Sequence, residues 1–322
     1  MRATFTSSLA SGLLGFLEFR RRRGYRYNRA EFTLRSFDRF LAESEKHDSS
    51  SRIDEVILAW LGSRPGRLAV SVSQDMAVIR QFWFYLRRHH PARCRREVRW
   101  PKLPTTSSFV PHVLTDGDVR VLLRLASELE RPRFRGVLYR VLLLVLYCTG
   151  LRLGEALRLR VRDVDLRRDV FFIDESKGRA RWVPFHPSLR HELIRYLAAR
   201  RRFKGAGPGR DDTFFVGTIG AQLSTGMASH TLCEMYRRAG LKPSRGRVGP
   251  RAYDVRHTFA VHRLTRWYRQ RVDLHARLPW LSAYMGHVNL LGTETYLTAT
   301  PELLALAAHR FHRRFSSRRS PP

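Results

Sequence analysis

Two arginines in the second half of the sequence stand where a cation needs an anionic partner. Arg152 lies between a strongly apolar segment and the start of the next predicted helix. A charge in apolar surroundings is costly unless a counter-charge neutralises it. Arg256 stands near the start of a predicted helix, where the helix dipole also attracts anions. A guanidinium group can hold two phosphate oxygens, so Arg256 could present its planar group to a phosphate. For Arg152, an ion pair with Glu155 and no catalytic task is the alternative.

Three other side chains could complete such chemistry, although each has an ordinary structural explanation. Lys177 lies in a polar turn between two predicted strands, where it could deliver an ammonium group to a substrate oxygen or simply be solvated. His287 follows the end of a predicted helix, and Tyr296 comes nine positions later. A phenol can act as a nucleophile when it is activated. A single histidine or tyrosine is, however, more often a packing residue.

The order and spacing of these residues are more informative than any one of them. The sequence contains five features in a fixed order. They are an arginine, a hairpin lysine, a polar residue three positions before a second arginine, a Gly-His pair, and a tyrosine nine positions after that histidine. This pattern resembles the tyrosine recombinase, or phage integrase, family. The resemblance is carried by Thr149–Leu157, Tyr253–Phe259 and Met285–Tyr296. It extends over nearly the whole chain, and the segment Thr298–Phe311 is similar to one transposon-borne branch of the family.

The resemblance implies a site-specific recombinase that cuts and rejoins DNA in integration, excision or transposition. Arg152 and Arg256 would clamp the scissile phosphate, with His287 as a further donor. Tyr296 would form a 3′-phosphotyrosyl link, and Lys177 would give a proton to the leaving 5′ oxygen. Because that link conserves the energy of the broken bond, no ATP, metal or other cofactor is expected. The implied partner is double-stranded DNA, bound by a homo- or hetero-tetramer on paired sites.

Two positions depart from the family pattern. Tyr253 stands where the family usually has histidine; a phenol can donate a hydrogen bond to a phosphate oxygen but cannot carry positive charge there. This departure argues against a general-base role at the position. The hairpin between Lys177 and Pro184 is also one residue shorter than is common in the family. Arg179 competes with Lys177 for the role of the acid, but a guanidinium hardly deprotonates.

The composition agrees with a polyanionic partner. The chain has 60 Lys and Arg against 28 Asp and Glu, a net charge of +32. Nucleic acid and anionic membrane are the candidates. Membrane is the weaker one, because no apolar run approaches the ~20 residues that a span needs. The three widely spaced cysteines indicate neither a disulfide framework nor a zinc site. A cytoplasmic protein is therefore predicted.

The elements that must position these residues are mostly helices. Periodic apolar residues predict four helices in a SAM-like core-binding domain over residues 1–104, with a proline-containing linker from about residue 98. A catalytic domain over 112–322 follows, so that the two domains form a clamp around DNA. Its predicted helices cover 116–128, 133–148, 153–160, 187–202, 223–239, 254–270, 274–285, 290–298 and 301–315. Residues 170–173 and 181–185 predict a β-hairpin.

Other functions fit parts of the pattern. A catalytically silent DNA-binding accessory protein would explain Tyr253. A type IB topoisomerase would share the chemistry without strand exchange. A basic RNA-binding protein is less well supported, because no aromatic-rich strand motif is present.

Overall fold

The computed structural model describes residues 5–25, 27–47, 53–63, 67, 69–91, 100, 112–129, 134–174, 180–246, 248–287, 293, 305 and 308. The chain divides into two compact units, Met1–Phe109 and Val110–Pro322. The fold is mainly helical with one small antiparallel sheet, which confirms the predicted fold class. None of the described helices has the length and apolarity needed to cross a membrane.

The described part of the first unit contains four helices, as predicted: α1 (Ala10–Arg22), α2 (Asn28–His47), α3 (Ile53–Gly62) and α4 (Ala69–His89). Its core is built from the periodic apolar residues, among them Leu13, Phe16, Leu34, Phe37, Ile57, Trp60, Ile79 and Phe82. Helix α4 begins earlier than the apolar pattern from Met76 indicated. Buried Asp75 accepts a hydrogen bond from Thr33 and pairs with Arg67. These polar contacts hold the first turns, and apolar periodicity does not reveal them.

The second unit is organised around a buried central helix. The helices are α5 (Asp116–Ser127), α6 (Phe134–Thr149), α7 (Leu153–Arg158), α8 (Pro187–Lys204), α9 (Thr225–Arg238), α10 (Asp254–Arg269) and α11 (Leu274–Met285). Helix α6 packs against α5, α8 and α10, and most of its apolar run from Val141 to Leu146 is fully buried. The predicted capping box at Thr115 and Asp118 begins α5.

The sheet has strands β1 (Val164–Asp165), β2 (Val170–Ile173) and β3 (Arg181–Pro184) in the order β1-β2-β3, all antiparallel. Val170 pairs with Pro184 and Ile173 with Arg181, which confirms the predicted hairpin. Strand β1 was not predicted, because two residues carry no alternation that a sequence pattern could reveal. The turn 175–179, which includes Lys177, lies outside the described residues.

Two glycines reverse the chain next to the candidate site. Gly150 follows α6 with a φ of 62°, and Gly286 follows α11 with a φ of 68°. Glycine adopts such positive angles without the steric penalty that a Cβ brings. A Cβ at Gly150 would lie 2.3 Å from Cδ1 of Phe259 on α10. Helix α10 therefore packs directly against the turn that leads to Arg152.

Some predicted elements lie outside the described residues. They are the linker apart from Trp100, and the helices 290–298 and 301–315 apart from Thr293, Ala305 and Ala308.

Candidate active site

Three arginines from different elements meet at the C-terminal end of α11. Three consecutive carbonyl oxygens there each accept a hydrogen bond from a different guanidinium group: Tyr284 from Arg181 Nε at 2.9 Å, Met285 from Arg256 Nη2 at 2.8 Å, and Gly286 from Arg152 Nη2 at 3.0 Å. The last carbonyls of a helix have no partner within the helix and form the negative end of its dipole. This end therefore collects cations from parts of the chain that are far apart in sequence.

Arg256 is the most deeply buried of the three, with only 1% of its surface exposed. It lies in the first turn of α10, and its other terminal nitrogen, Nη1, donates to the carbonyl of Gly150 at 2.7 Å. One side chain thus connects the start of α10, the turn after α6 and the end of α11. These bonds hold the guanidinium fork in place before any substrate binds.

Arg152 occupies the N-cap position of α7 and makes an ion pair with Glu155, the contact that the sequence offered as the alternative to a catalytic role. Its Nη1 donates to Glu155 Oε1 at 2.7 Å, and its backbone N–H donates to Oε2 at 3.0 Å. The Arg152 side chain keeps 21% of its surface exposed, whereas that of Glu155 keeps 1%. The ion pair therefore orients the guanidinium while part of the Arg152 side chain stays exposed.

Arg181, the first residue of β3, belongs to this group but could not be identified from the sequence. Its Nη2 donates to Glu155 Oε2 at 2.9 Å, and its Nη1 lies 3.4 Å from Oε1. Glu155 is thus a buried carboxylate shared by two guanidinium groups, those of Arg152 and Arg181. No local pattern distinguishes Arg181 from the other arginines of the chain; a charged residue opening a half-buried strand was the only available indication.

His287 follows Gly286 directly and lies beside the arginines. Its backbone N–H donates to Ser282 O at 3.0 Å, and its Nδ1 is 2.6 Å from Thr293 Oγ1. Burial, with the positive charges of Arg256 and Arg152, lowers the pKa of His287 to about 4. The ring is then neutral at pH 7. When the Thr293 hydroxyl donates to Nδ1, the ring proton is on Nε2, where it can be given to an anion.

Tyr253 lies at the rim of this group. It is the N-cap residue of α10, its side chain is partly exposed, and its ring meets that of His257 edge to face at 4.8 Å between centroids. Burial lowers the pKa of His257 to about 4, although the negative charge of Asp254 acts to raise it. His257 is therefore also neutral at pH 7 and does not supply the positive charge that Tyr253 lacks.

The structure thus brings together Arg152, Arg256 and His287, with Tyr253 beside His257. Lys177 and Tyr296 lie outside the described residues. Within the part of the chain that the structure describes, no three Cys, His, Asp or Glu side chains are grouped as a metal site would require.

We expect Gly286→Ala to destabilise the protein more than Gly205→Ala. Both glycines have a positive φ, 68° and 72°, so each alanine meets a backbone penalty of about 1–2 kcal/mol. A Cβ at Gly286 would also lie 2.6 Å from Arg181 Nη1, whereas nothing lies within 4 Å of one at Gly205. Chemical denaturation measures both changes in unfolding free energy. Equal losses would show that Arg181 does not occupy this space.

We expect the free protein to lose stability as the pH falls from 6.5 towards 4. An unfolded histidine binds a proton near pH 6.5, whereas folded His287 binds one only at about 4. Between these values the unfolded state binds more protons, so acid favours unfolding. Thermal unfolding at pH 7 and pH 5 measures the effect. His287→Gln should weaken the pH dependence, whereas His230→Gln, at an exposed histidine, should leave it unchanged. The same dependence in all three proteins would contradict the assignment.

Several known proteins are similar to this chain in sequence or in fold. The family model described as the phage integrase family matches residues 113–302. The chain is 33% identical to y4rB of Sinorhizobium fredii, which is named as an integrase/recombinase, over 97% of this chain and 99% of the relative. It is 26% identical to tyrosine recombinase XerC of Bacillus pumilus, over 73% of this chain and 72% of the relative.

A solved structure extends the likeness to the fold. The Tn1549 transposon integrase in complex with transposon right end DNA aligns with a TM-score of 0.63 at 18% identity, covering 93% of this chain and 99% of that one. The family match spans most of the second unit, and the similarity to y4rB spans nearly the entire chain. The chain therefore belongs to the phage integrase family of tyrosine recombinases.

Proposed function

We propose that Arg152, Arg256 and His287 together bind the scissile phosphate of duplex DNA while Tyr296 attacks it, so that the chain carries out site-specific recombination. The observation that supports this most strongly is the meeting of Arg152 and Arg256 at the end of α11, immediately before His287. Three donors that are far apart in sequence are thereby fixed around one small region.

The geometry suits phosphoryl transfer because the reacting group is an anion. A phosphodiester repels nucleophiles, and its transition state carries more negative charge than its ground state. Cations that are already in place stabilise that transition state more than the ground state, which lowers the barrier. Arg152 and Arg256 are held by carbonyl groups and by Glu155, so little reorganisation is needed during the reaction. A phenol has a pKa of roughly 10, and the same positive field favours its ionised form.

The proposed reaction has two matched steps. The phenolic oxygen of Tyr296 gives up its proton to solvent and bonds to phosphorus as the bond to the 5′ oxygen breaks. Lys177 supplies the proton to that leaving oxygen, and Tyr253 donates a hydrogen bond to a phosphate oxygen. A 5′ hydroxyl of the partner strand then gives its proton to Lys177 and attacks the 3′-phosphotyrosyl link. Tyr296 leaves and takes up a proton from solvent. Each step exchanges one phosphoester bond for another, so neither step needs ATP.

Each of the two units has its own part in this proposal. Residues 1–104 would form the core-binding domain, which contacts the DNA backbone through basic residues, and residues 112–322 would form the catalytic domain. Recombination between two sites needs four active sites, and we propose a homo- or hetero-tetramer in which the helix predicted at 301–315 packs on a neighbour. A protein that acts on DNA in this way is expected in the cytoplasm.

The biological task is proposed from the relatives. One of them is named as an integrase/recombinase, and a structural neighbour is a transposon integrase bound to transposon end DNA. Both favour the movement of a mobile element, by integration and excision.

A nicked duplex tests the proposed function. Duplexes that the protein binds would first be selected from the DNA that flanks its own gene. Each duplex would then carry a nick close to a possible cleavage position. Cleavage beside a nick releases a short fragment, so religation fails and the covalent complex accumulates. We expect a protein–DNA adduct that survives denaturing electrophoresis without metal or ATP. Binding without any adduct would indicate an accessory protein, and relaxation of supercoiled plasmid without synapsis would indicate a topoisomerase.

A further inference from the structure

We propose that Arg181 is a positioning residue of this active site: it fixes Glu155, and through Glu155 the guanidinium of Arg152, relative to the end of α11 from which His287 projects. This proposal rests on the proposed function. Arg181 is not expected to touch the phosphate itself.

The guanidinium group of Arg181 contacts two different acceptors. Two of its nitrogens face the carboxylate of Glu155, at 2.9 Å and 3.4 Å, and the third donates to the carbonyl of Tyr284 at 2.9 Å. Only 10% of the Arg181 side chain is exposed, against 21% for Arg152. A planar fork with several donors can join two acceptors rigidly, whereas an ammonium group on a flexible stem does so poorly.

Glu155 transmits this position to Arg152. Its Oε1 accepts from the Arg152 side chain and its Oε2 from the Arg152 backbone N–H. A buried carboxylate needs its partners, because leaving it without them is strongly unfavourable. If Arg181 is removed, Glu155 loses one of the two guanidinium groups that share its carboxylate, and we expect the carboxylate to shift and to draw the Arg152 guanidinium out of its place at Gly286.

The opposite end of β3 is attached to the same helix. The hydroxyl of Tyr284 donates to the carbonyl of Pro184, the last residue of β3, at 2.8 Å. Arg181 at the first residue and Pro184 at the last residue are thus both bonded to Tyr284. Strand β3 is thereby held against α11, and its first residue lies four positions after Lys177 in the sequence.

Single-turnover cleavage of the nicked duplex tests the proposal, with DNA affinity measured on the same duplex. The variants are Arg181→Gln, Glu155→Gln and the double change, and Arg190→Gln is the control because it breaks an ion pair to Asp169 elsewhere in the unit. We expect Arg181→Gln to lower the maximal rate about 100-fold, the loss that a small misplacement of catalytic groups causes, with Kd unchanged. The cleavage rate of the double variant should lie within about 2-fold of the rate of the slower single variant, because the two residues act as one unit.

Three results would overturn the positioning role. They are a rate for Arg181→Gln equal to that of Arg190→Gln, a double variant whose loss is the product of the two single losses, and a Kd that weakens in parallel with the rate. If Arg181→Gln does not fold, Arg181→Lys replaces it; it keeps the charge and should cleave more slowly than wild type with Kd unchanged. A wild-type protein that binds the duplex but forms no adduct would overturn the proposed function itself, and the role of Arg181 with it.

Discussion

Tyr296→Phe is expected to abolish covalent protein–DNA adducts while leaving DNA affinity unchanged. The change removes one oxygen atom, and in the proposed mechanism that atom forms the bond to phosphorus. The positive groups that hold the phosphate are untouched, so binding should persist. Denaturing electrophoresis of the nicked duplex measures the adduct, and a mobility-shift titration measures the affinity.

Tyr253→Phe is the matched control for this experiment. Tyr253 is partly exposed at the start of α10, beside His257, and its proposed part is only to donate a hydrogen bond. We expect this variant to form the adduct more slowly, by about 10-fold, the equivalent of one ordinary hydrogen bond in the transition state. An adduct that survives Tyr296→Phe but disappears with Tyr253→Phe would show that Tyr253, and not Tyr296, is the nucleophile.

Arg256→Lys is expected to lower the cleavage rate by about 100- to 1,000-fold, the usual effect of removing one preplaced donor. A lysine keeps the charge but cannot reproduce the planar fork that reaches the carbonyls of Gly150 and Met285 together. One of these buried carbonyls should lose its donor, which costs about 1–3 kcal/mol of stability. Single-turnover kinetics and chemical denaturation measure the two losses separately.

Arg200→Lys is the control for the effect of burial. Arg200 on α8 is equally buried, at 1% exposure, and donates to Asp212 and to the carbonyl of Thr213. We expect a comparable loss of stability and no change in the cleavage rate of folded protein. If both variants lose activity in proportion to their stability, Arg256 is structural and the phosphate clamp needs another donor.

The helices could be predicted because the local sequence determines both the spacing of their apolar residues and the positions of their ends. Gly150 and Gly286 mark the ends of α6 and α11, and both adopt the positive φ that favours glycine at these turns. The start of α4 was less predictable, since the buried contacts of Asp75 fix it and not an apolar stripe. Strand β1 is too short to show any pattern.

The candidate site was predictable only in part. Arg152, Arg256 and His287 were identified because their order and spacing resemble a family, not because any local pattern places them together. Arg181 was missed, because its role depends on contacts with Glu155 and with the end of α11 that exist only in the folded chain. Tyr284, which accepts its hydrogen bond, lies 103 positions away in sequence. Thr293 was also missed, because its contact with the His287 ring exists only in the folded chain.

The structure of the protein trapped on a nicked duplex tests the central claim most directly. Crystallography or electron microscopy of that complex would locate the phosphate joined to the protein. The guanidinium groups of Arg152 and Arg256 and the ring of His287 should all lie within hydrogen-bonding distance of that one phosphate, and Tyr296 should carry it. A phosphate held elsewhere on the second unit, with the end of α11 unoccupied by DNA, would contradict the account.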